Sequence, residues 1–252
     1  MAKELHNNNG HTVVAFRDLV TGDAVQSNQF LIINDNHAAL IDPGGELTYS
    51  RLFLALSRYT SVKNLDFVLV SHQDPDVVAS INKWLVGTDC HVVVPGLWSR
   101  FIAHFTKPDR TQGRITTIPD RGATLKLGQM KLLALPAHFL HAEGNFHFYD
   151  PISKILFSGD MGANLTNEKL DEPVKQFSEI LPYMDGFHKR YMASNKACRL
   201  WAEMVRQLDI KLLVPQHGRC LQGQAINDFI DWISELYCGV DLIDANWYRI
   251  PA

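Results

Sequence analysis

One stretch constrains this chain more than any other: Asp66–Ser80, DFVLVSHQDPDVVAS. Its apolar run Phe67–Val70 has the length and content of a buried strand. The run breaks into Ser71-His72-Gln73-Asp74-Pro75-Asp76, which places one imidazole and two carboxylates within five residues. Apolar positions resume at Val77, Val78, Ile81, Trp84 and Leu85, near helical spacing. A strand that ends in a polar loop and feeds a helix sets its side chains at the carboxyl edge of a sheet, where ligands bind. Pro75 fixes its own φ and biases Asp74 toward an extended conformation, which steadies both carboxylates. His-x-Asp-x-Asp is therefore a candidate for metal ligation; the competing reading is a helix capped by Asp76.

The rest of the chain alternates strands and helices without a linker, repeat or low-complexity tract. Strands are predicted at Thr12–Phe16, Phe30–Ile33, Ala38–Ile41 and His91–Val94, and again at Arg114–Ile118, Thr124–Leu127, Lys131–Leu135, Asn145–Tyr149, Lys154–Phe157 and Lys211–Val214. Helices are predicted from a Thr48 cap through Tyr59, from the polar loop to about Val86, and over Leu97–Phe105. Residues 166–207 read as mostly helical, most clearly His188–Leu208, and a last helix covers Gln224–Leu236. Two groups of strands, each followed by helices, are consistent with an α/β (α+β) architecture of two sheets packed face to face with helices outside, as one domain over 1–252.

Charge and composition exclude several function classes. The net charge is −3, with no Lys/Arg cluster, so nothing favours a nucleic-acid partner. No run approaches the ~18 apolar residues of a spanning helix and the N-terminus has no apolar leader, so no membrane role and a cytoplasmic location are expected. The four cysteines, Cys90, Cys198, Cys220 and Cys238, contain no CxxC pair and read as buried reduced thiols.

Imidazole or carboxylate recurs after four separate strands. His72, Asp74 and Asp76 follow Phe67–Val70, His138 and His141 follow Lys131–Leu135, Asp160 follows Lys154–Phe157, and His217 follows Lys211–Val214. Each alone has an ordinary structural explanation; a sheet edge can bring all four together.

In this order, His-x-carboxylate-x-Asp, His, Gly-Asp and Pro-x-His-Gly, with the earlier Leu40-Ile41-Asp42-Pro43-Gly44, the chain resembles the metallo-β-lactamase superfamily over about residues 25–236. The resemblance implies a four-layer αββα sandwich with a metal site at one edge of the two sheets. The zinc hydrolases of that superfamily carry His-x-His-x-Asp-His, whereas here Asp74 and Val77 stand at two of those His positions. Three imidazoles and three carboxylates make a harder shell that suits two iron ions, with zinc or manganese as alternatives. The pattern is similar to the diiron core of the flavodiiron proteins, which reduce O₂ or NO. In that family eighteen residues separate the middle His from the bridging Asp, and His141 to Asp160 leaves eighteen where His138 leaves twenty-one.

Carried over by position, the resemblance implies His72, Asp74 and His141 on one iron, Asp76 and His217 on the other, and Asp160 bridging. His138 and Tyr191 are expected beside the ligands, with Tyr191 near the open side of the second iron. Val77 stands where a sixth ligand often sits, so an open position is expected there. The chain ends where flavodiiron proteins continue into a flavodoxin domain, so no FMN is expected in it. A stand-alone core of this kind resembles oxygen-binding diiron proteins proposed as O₂ sensors. The expected function is O₂ or NO binding, sensory or slowly reductive, with an external redox or signalling partner and a homodimeric state. The alternative is a metal-dependent hydrolase of an ester or phosphoester, with a metal-bound hydroxide as nucleophile.

Overall fold

The computed structural model describes residues 2–166 and 171–251. A seven-stranded sheet takes its strands in chain order: β1 (Ala2–Asn8), β2 (His11–Phe16), β3 (Gln29–Asn34), β4 (His37–Ile41), β5 (Leu65–Leu69), β6 (His91–Pro95) and β7 (Ile115–Ile118). The second sheet has six, β8 (Ala123–Leu127), β9 (Met130–Pro136), β10 (Phe146–Asp150), β11 (Ile155–Phe157), β12 (Leu212–Val214) and β13 (Leu221–Gln222), in the order β13-β12-β11-β10-β9-β8. Three helices cover the first sheet, α1 (Tyr49–Leu56), α2 (Pro75–Val78) and α3 (Ile81–Gly87). After the short α4 (Pro108–Thr111), three more cover the second: α5 (Leu181–Tyr191), α6 (Asn195–Val205) and α7 (Gln224–Glu235). Among the described residues no helix is long and apolar enough to cross a membrane.

Alternation along the strands explains the four layers. In β2, Val13 and Ala15 enter the core between the sheets while Val14 and Phe16 enter the core under the helices. In β6, Val93 faces the other sheet and Val92 and Val94 face the helices. Strands buried on both faces read as continuous apolar runs, which is why these were legible. The result is the αββα sandwich expected from the resemblance.

Local differences have local causes. The helix expected to run to Val86 is two helices, because Ser80 donates its hydroxyl to the carbonyls of Pro43 and Gly44 and anchors the break to that turn. The helix expected over His188–Leu208 also breaks: Met192 turns extended (ψ 139°) and Ser194 restarts the chain by capping α6 through Ala197 N. The helix expected over Leu97–Phe105 is a 3₁₀ stretch, Gly96–His104, which Phe105 caps. Neither Thr48 nor Asp76 is a side-chain cap; Asp74 occupies the N-cap position of α2 without a cap hydrogen bond. Strand β1 was not foreseen, since a largely exposed edge strand of mixed polar residues carries no strong pattern. Part of the helical expectation over 166–207, residues 167–170, lies outside the described residues.

Candidate metal centre

The four chemistry-bearing loops meet because the strands before them point the same way. β9 and β11 are both antiparallel to β10, and β12 is parallel to β11, so their carboxyl ends line one edge of the second sheet. His141, Asp160 and His217 leave from that edge, and His72 joins them from the end of β5 in the first sheet. One ligand atom from each of His72, Asp74, His141 and Asp160 lies within 4.8 Å of the others. His141 Nε2 is 3.0 Å from Asp160 Oδ2 and 3.4 Å from Asp74 Oδ2, and His72 Nε2 is 3.8 and 3.9 Å from the same carboxylates. The other half is His217 Nε2, 3.5 Å from Asp76 Oδ2 and 3.4 Å from Asp160 Oδ1. Asp160 therefore turns one carboxylate oxygen to each half.

Each ring is aimed from behind. Ser71 Oγ accepts from His72 Nδ1 (2.8 Å), and Asp42 holds Ser71 by accepting from both its backbone N–H and its hydroxyl. The Nδ1 of His217 lies 2.7 Å from the Gln26 carbonyl, and Gln216 donates to Asp76 Oδ2. Gly218 (φ +83°) lets the His217 turn close against Asn164, whose carbonyl would lie 2.0 Å from any Cβ there. Asn164 in turn accepts from Arg219 N and donates from its backbone to the His217 carbonyl, which fixes the Asp160 and His217 loops together. Of these supports, Ser71, Gln216, Asn164 and Gln26 were not foreseen. In the sequence Asp42 belongs only to the Leu40–Gly44 stretch that carries the resemblance, and nothing local says that its carboxylate reaches Ser71.

The electrostatics describe a place built for positive charge. Burial works against protonation of His141 and His217, yet the Asp160 carboxylate and its neighbours outweigh it and raise them to about 10 and about 9. Burial also opposes charge on Asp160, but His72, His141 and His217 hold it well below the usual carboxylate range. His72 Nε2 and Asp160 Oδ1 are buried without a hydrogen-bond partner among the described residues. Orphaned donor atoms, protons crowded among carboxylates and three nitrogen plus three carboxylate donors all fit a pair of cations in this position.

A cavity of about 790 Å³ opens above the cluster, with Asp74, Asp76, His141, Asp160 and His217 on its floor. Its wall includes Val25, Leu47, Leu165, Phe187 and Tyr191, of which only Tyr191 was anticipated. Tyr191 stacks on Phe187 (centroids 4.7 Å apart) and meets the edge of His141 at 5.6 Å. Its ring contact is thus with His141, in the half that includes His72 and Asp74, while Asp76 and His217 of the other half line the same cavity. His138 does not join the cluster: its Nε2 lies 2.7 Å from the Asp120 carbonyl, and its ring packs on Phe146. Val77 is corrected too. It is fully buried in the core under the helices and is not part of the cavity wall, because one residue past Asp76 the helix has turned inward.

Two buried histidines beside the site titrate in the opposite sense. His147 accepts from Trp201 Nε1 (2.9 Å), and His188 Nε2 accepts from Gly162 N (3.0 Å) while its Nδ1–H reaches the Met184 carbonyl. Burial lowers them from 6.5 to about 3 and about 4. Their contribution to stability is complete above the ordinary value and is lost as pH falls from 6.5 toward those values, because the unfolded chain takes the protons first. Each is expected to cost up to ~1.4 kcal/mol per pH unit in that window. Urea midpoints of metal-depleted protein between pH 7 and 5 measure this. His188→Gln, which still offers an oxygen to Gly162 N, should shed the His188 share; an unchanged slope would refute that origin.

Residues 25–218 match the family described as ODP family beta lactamase. Two solved structures are similar over 96% of this chain and 97% of their own: the peroxy diiron species of chemotaxis sensor ODP (38% identity, TM-score 0.85) and the apo state of that sensor from T. denticola (37%, 0.84). A flavo di-iron protein variant from Thermotoga maritima shares the fold, with TM-score 0.76 and 20% identity over 93% of this chain and 60% of that one. An uncharacterised protein of Methanocaldococcus jannaschii is 24% identical over 209 residues, 81% of this chain. The chain spans about half the length of that curated relative (51%).

Proposed function

This chain belongs to the ODP family of beta-lactamase-fold proteins, and from that we propose that it is a non-haem diiron protein that binds O₂ (or NO) as a sensor, or reduces it slowly with electrons from an external donor. The observation that carries the proposal is the split of Asp160, one oxygen toward His141 and the other toward His217, between two half-sites. His72, Asp74 and His141 would hold one ion and Asp76 and His217 the other, with Asp160 shared between them. Two ferrous ions in that position supply electrons and open coordination to a small diatomic ligand. Asp76, Asp160 and His217 would offer the second ion fewer protein donors than the first, which would leave it room for a small ligand. The protein's own part is positional. Ser71 and Asp42 orient His72, Gln26 orients His217, and Phe187, Val25 and Leu47 give the cavity an apolar wall.

The same reading takes residues 1–252 as one folded unit, acting in the cytoplasm as a homodimer with a signalling or redox partner. Metal analysis with a visible spectrum, recorded as air is admitted to the reduced protein, tests the central point. Two irons per chain and a new visible band are expected. Two zinc ions and a colourless protein would replace this reading with the hydrolase.

A further inference from the structure

Two of the four cysteines are neighbours in space. Cys198 lies in the second turn of α6 and Cys238 in the segment after α7, both fully buried, with their sulfurs 3.7 Å apart and unbonded. We propose that Cys198 and Cys238 form a reversible intramolecular disulfide, a peroxide-responsive modification site separate from the metal centre.

The backbones that carry the two thiols are already fastened together, so closing the bond asks for little movement. Asp241 accepts from Asn195 N at the start of α6 and from Cys238 N. Asn195 donates its side-chain amide to the carbonyls of Ser234 and Leu236. Gly239 (φ +51°) brings the next peptide so close to the Met192 and Ala193 carbonyls that a Cβ would lie 2.2 and 2.3 Å from them. A disulfide brings sulfurs to ~2.05 Å through side-chain rotation once the backbones are this near. The hydrogen bond between the two sulfurs raises Cys198 and lowers Cys238, while burial and the Asp241 carboxylate push both thiols up.

The oxidant is hydrogen peroxide. The Cys238 thiolate attacks one peroxide oxygen, the O–O bond breaks, and the other oxygen leaves as water once protonated. The Cys198 sulfur then displaces the second oxygen from the Cys238 sulfenic acid, again as water. Two thiols and one peroxide give one disulfide and two waters, and an external thiol reverses the change. The neighbours Tyr237 and Val240 are exposed, so peroxide reaches Cys238 when that segment opens locally.

The bond has a structural consequence. Val240 N donates to the Ala193 carbonyl, and Ala193 N donates to the Phe139 carbonyl in the loop that carries His141. A disulfide closing the Cys238 segment onto α6 braces this ladder, and with it the loop.

The protein as isolated is treated with a small excess of hydrogen peroxide, quenched with catalase, unfolded for a thiol count, and digested without reductant. The count is expected to fall from four to two, with one peptide pair joined through Cys198 and Cys238 and released by dithiothreitol. Amide exchange at Ala193 and Val240 should slow in the oxidised form. In Cys238→Ser the three remaining thiols should survive the same treatment. Persistence of all four thiols, a different joined pair, arrest at the sulfinic acid, or equal thiol loss in Cys238→Ser would overturn the assignment. Unchanged exchange at the two amides would overturn the bracing role.

Discussion

Asp160→Asn is expected to empty the site of both ions at once, with retention weakened by more than ~100-fold, beyond what loss of an outer hydrogen-bond partner costs. Asp160 is only 4% exposed and, among the described residues, is the one carboxylate within ion-pair distance of histidines of both halves. Asparagine keeps the volume but supplies one neutral oxygen, and its amide hydrogens must face either His141 or His217, repelling a cation there. Asp76→Asn makes the control, since among the described imidazoles only His217 lies within ion-pair distance of Asp76, and it should cost one ion, not two. Metal content after dialysis against a chelator reads both outcomes. The metal-free variant offers a second readout. His141 and His217 are held near 10 and 9 with Asp160 as their leading partner, so both should titrate markedly lower in Asp160→Asn, followed by their ring resonances. An Asp160→Asn protein that keeps two ions would remove the bridge from the proposal.

How far the sequence reached depends on the range of the interaction concerned. Strands buried on both faces, such as β2 and β6, announced themselves because each carries an unbroken apolar run, Val13–Phe16 and Val92–Pro95. The candidate ligands were legible for a related reason: titratable side chains directly after apolar strands are conspicuous, and the gap between His141 and Asp160 matched a resembling family. What escaped depended on partners far along the chain. The Asp42–Ser71–His72 relay joins residues 29 apart, and Asn28 reaches Pro215 and Gly218 across the molecule, contacts that no local pattern encodes. The helix breaks at Ser80 and Met192 were hidden similarly. Ser80 stops α2 by bonding a turn almost forty residues earlier, and Met192 yields to a linker hydrogen-bonded to Phe139 and Val240 on either side. Tyr191 shows the intermediate case: its presence at the cavity was anticipated from its position after Asp160, but its side of the cluster depends on stacking with Phe187 one turn earlier.

Val77→His separates position in sequence from position in space. By alignment with related motifs a histidine at 77 adds a ligand to the second ion. In this fold Val77 is 0% exposed and packed with Leu52, Val70 and Ile81 under the helices, with its back to the cavity that Asp74, Asp76 and Ala79 line. An imidazole placed there overfills an apolar layer and buries two ring nitrogens away from any partner, for a combined cost of about 4 kcal/mol. To coordinate, the ring must instead swing out, which means rotating the single turn Pro75–Val78 and dragging Asp74 and Asp76 off their half-sites. Either way metal retention should fall rather than rise, together with the urea midpoint of the metal-depleted protein. Val77→Ile, which keeps the site apolar, should leave metal retention unchanged and cost less stability. A Val77→His protein with an unshifted midpoint and a more tightly held second ion would mean that residue 77 does face the metals and that its packing beneath α2 has been misassigned.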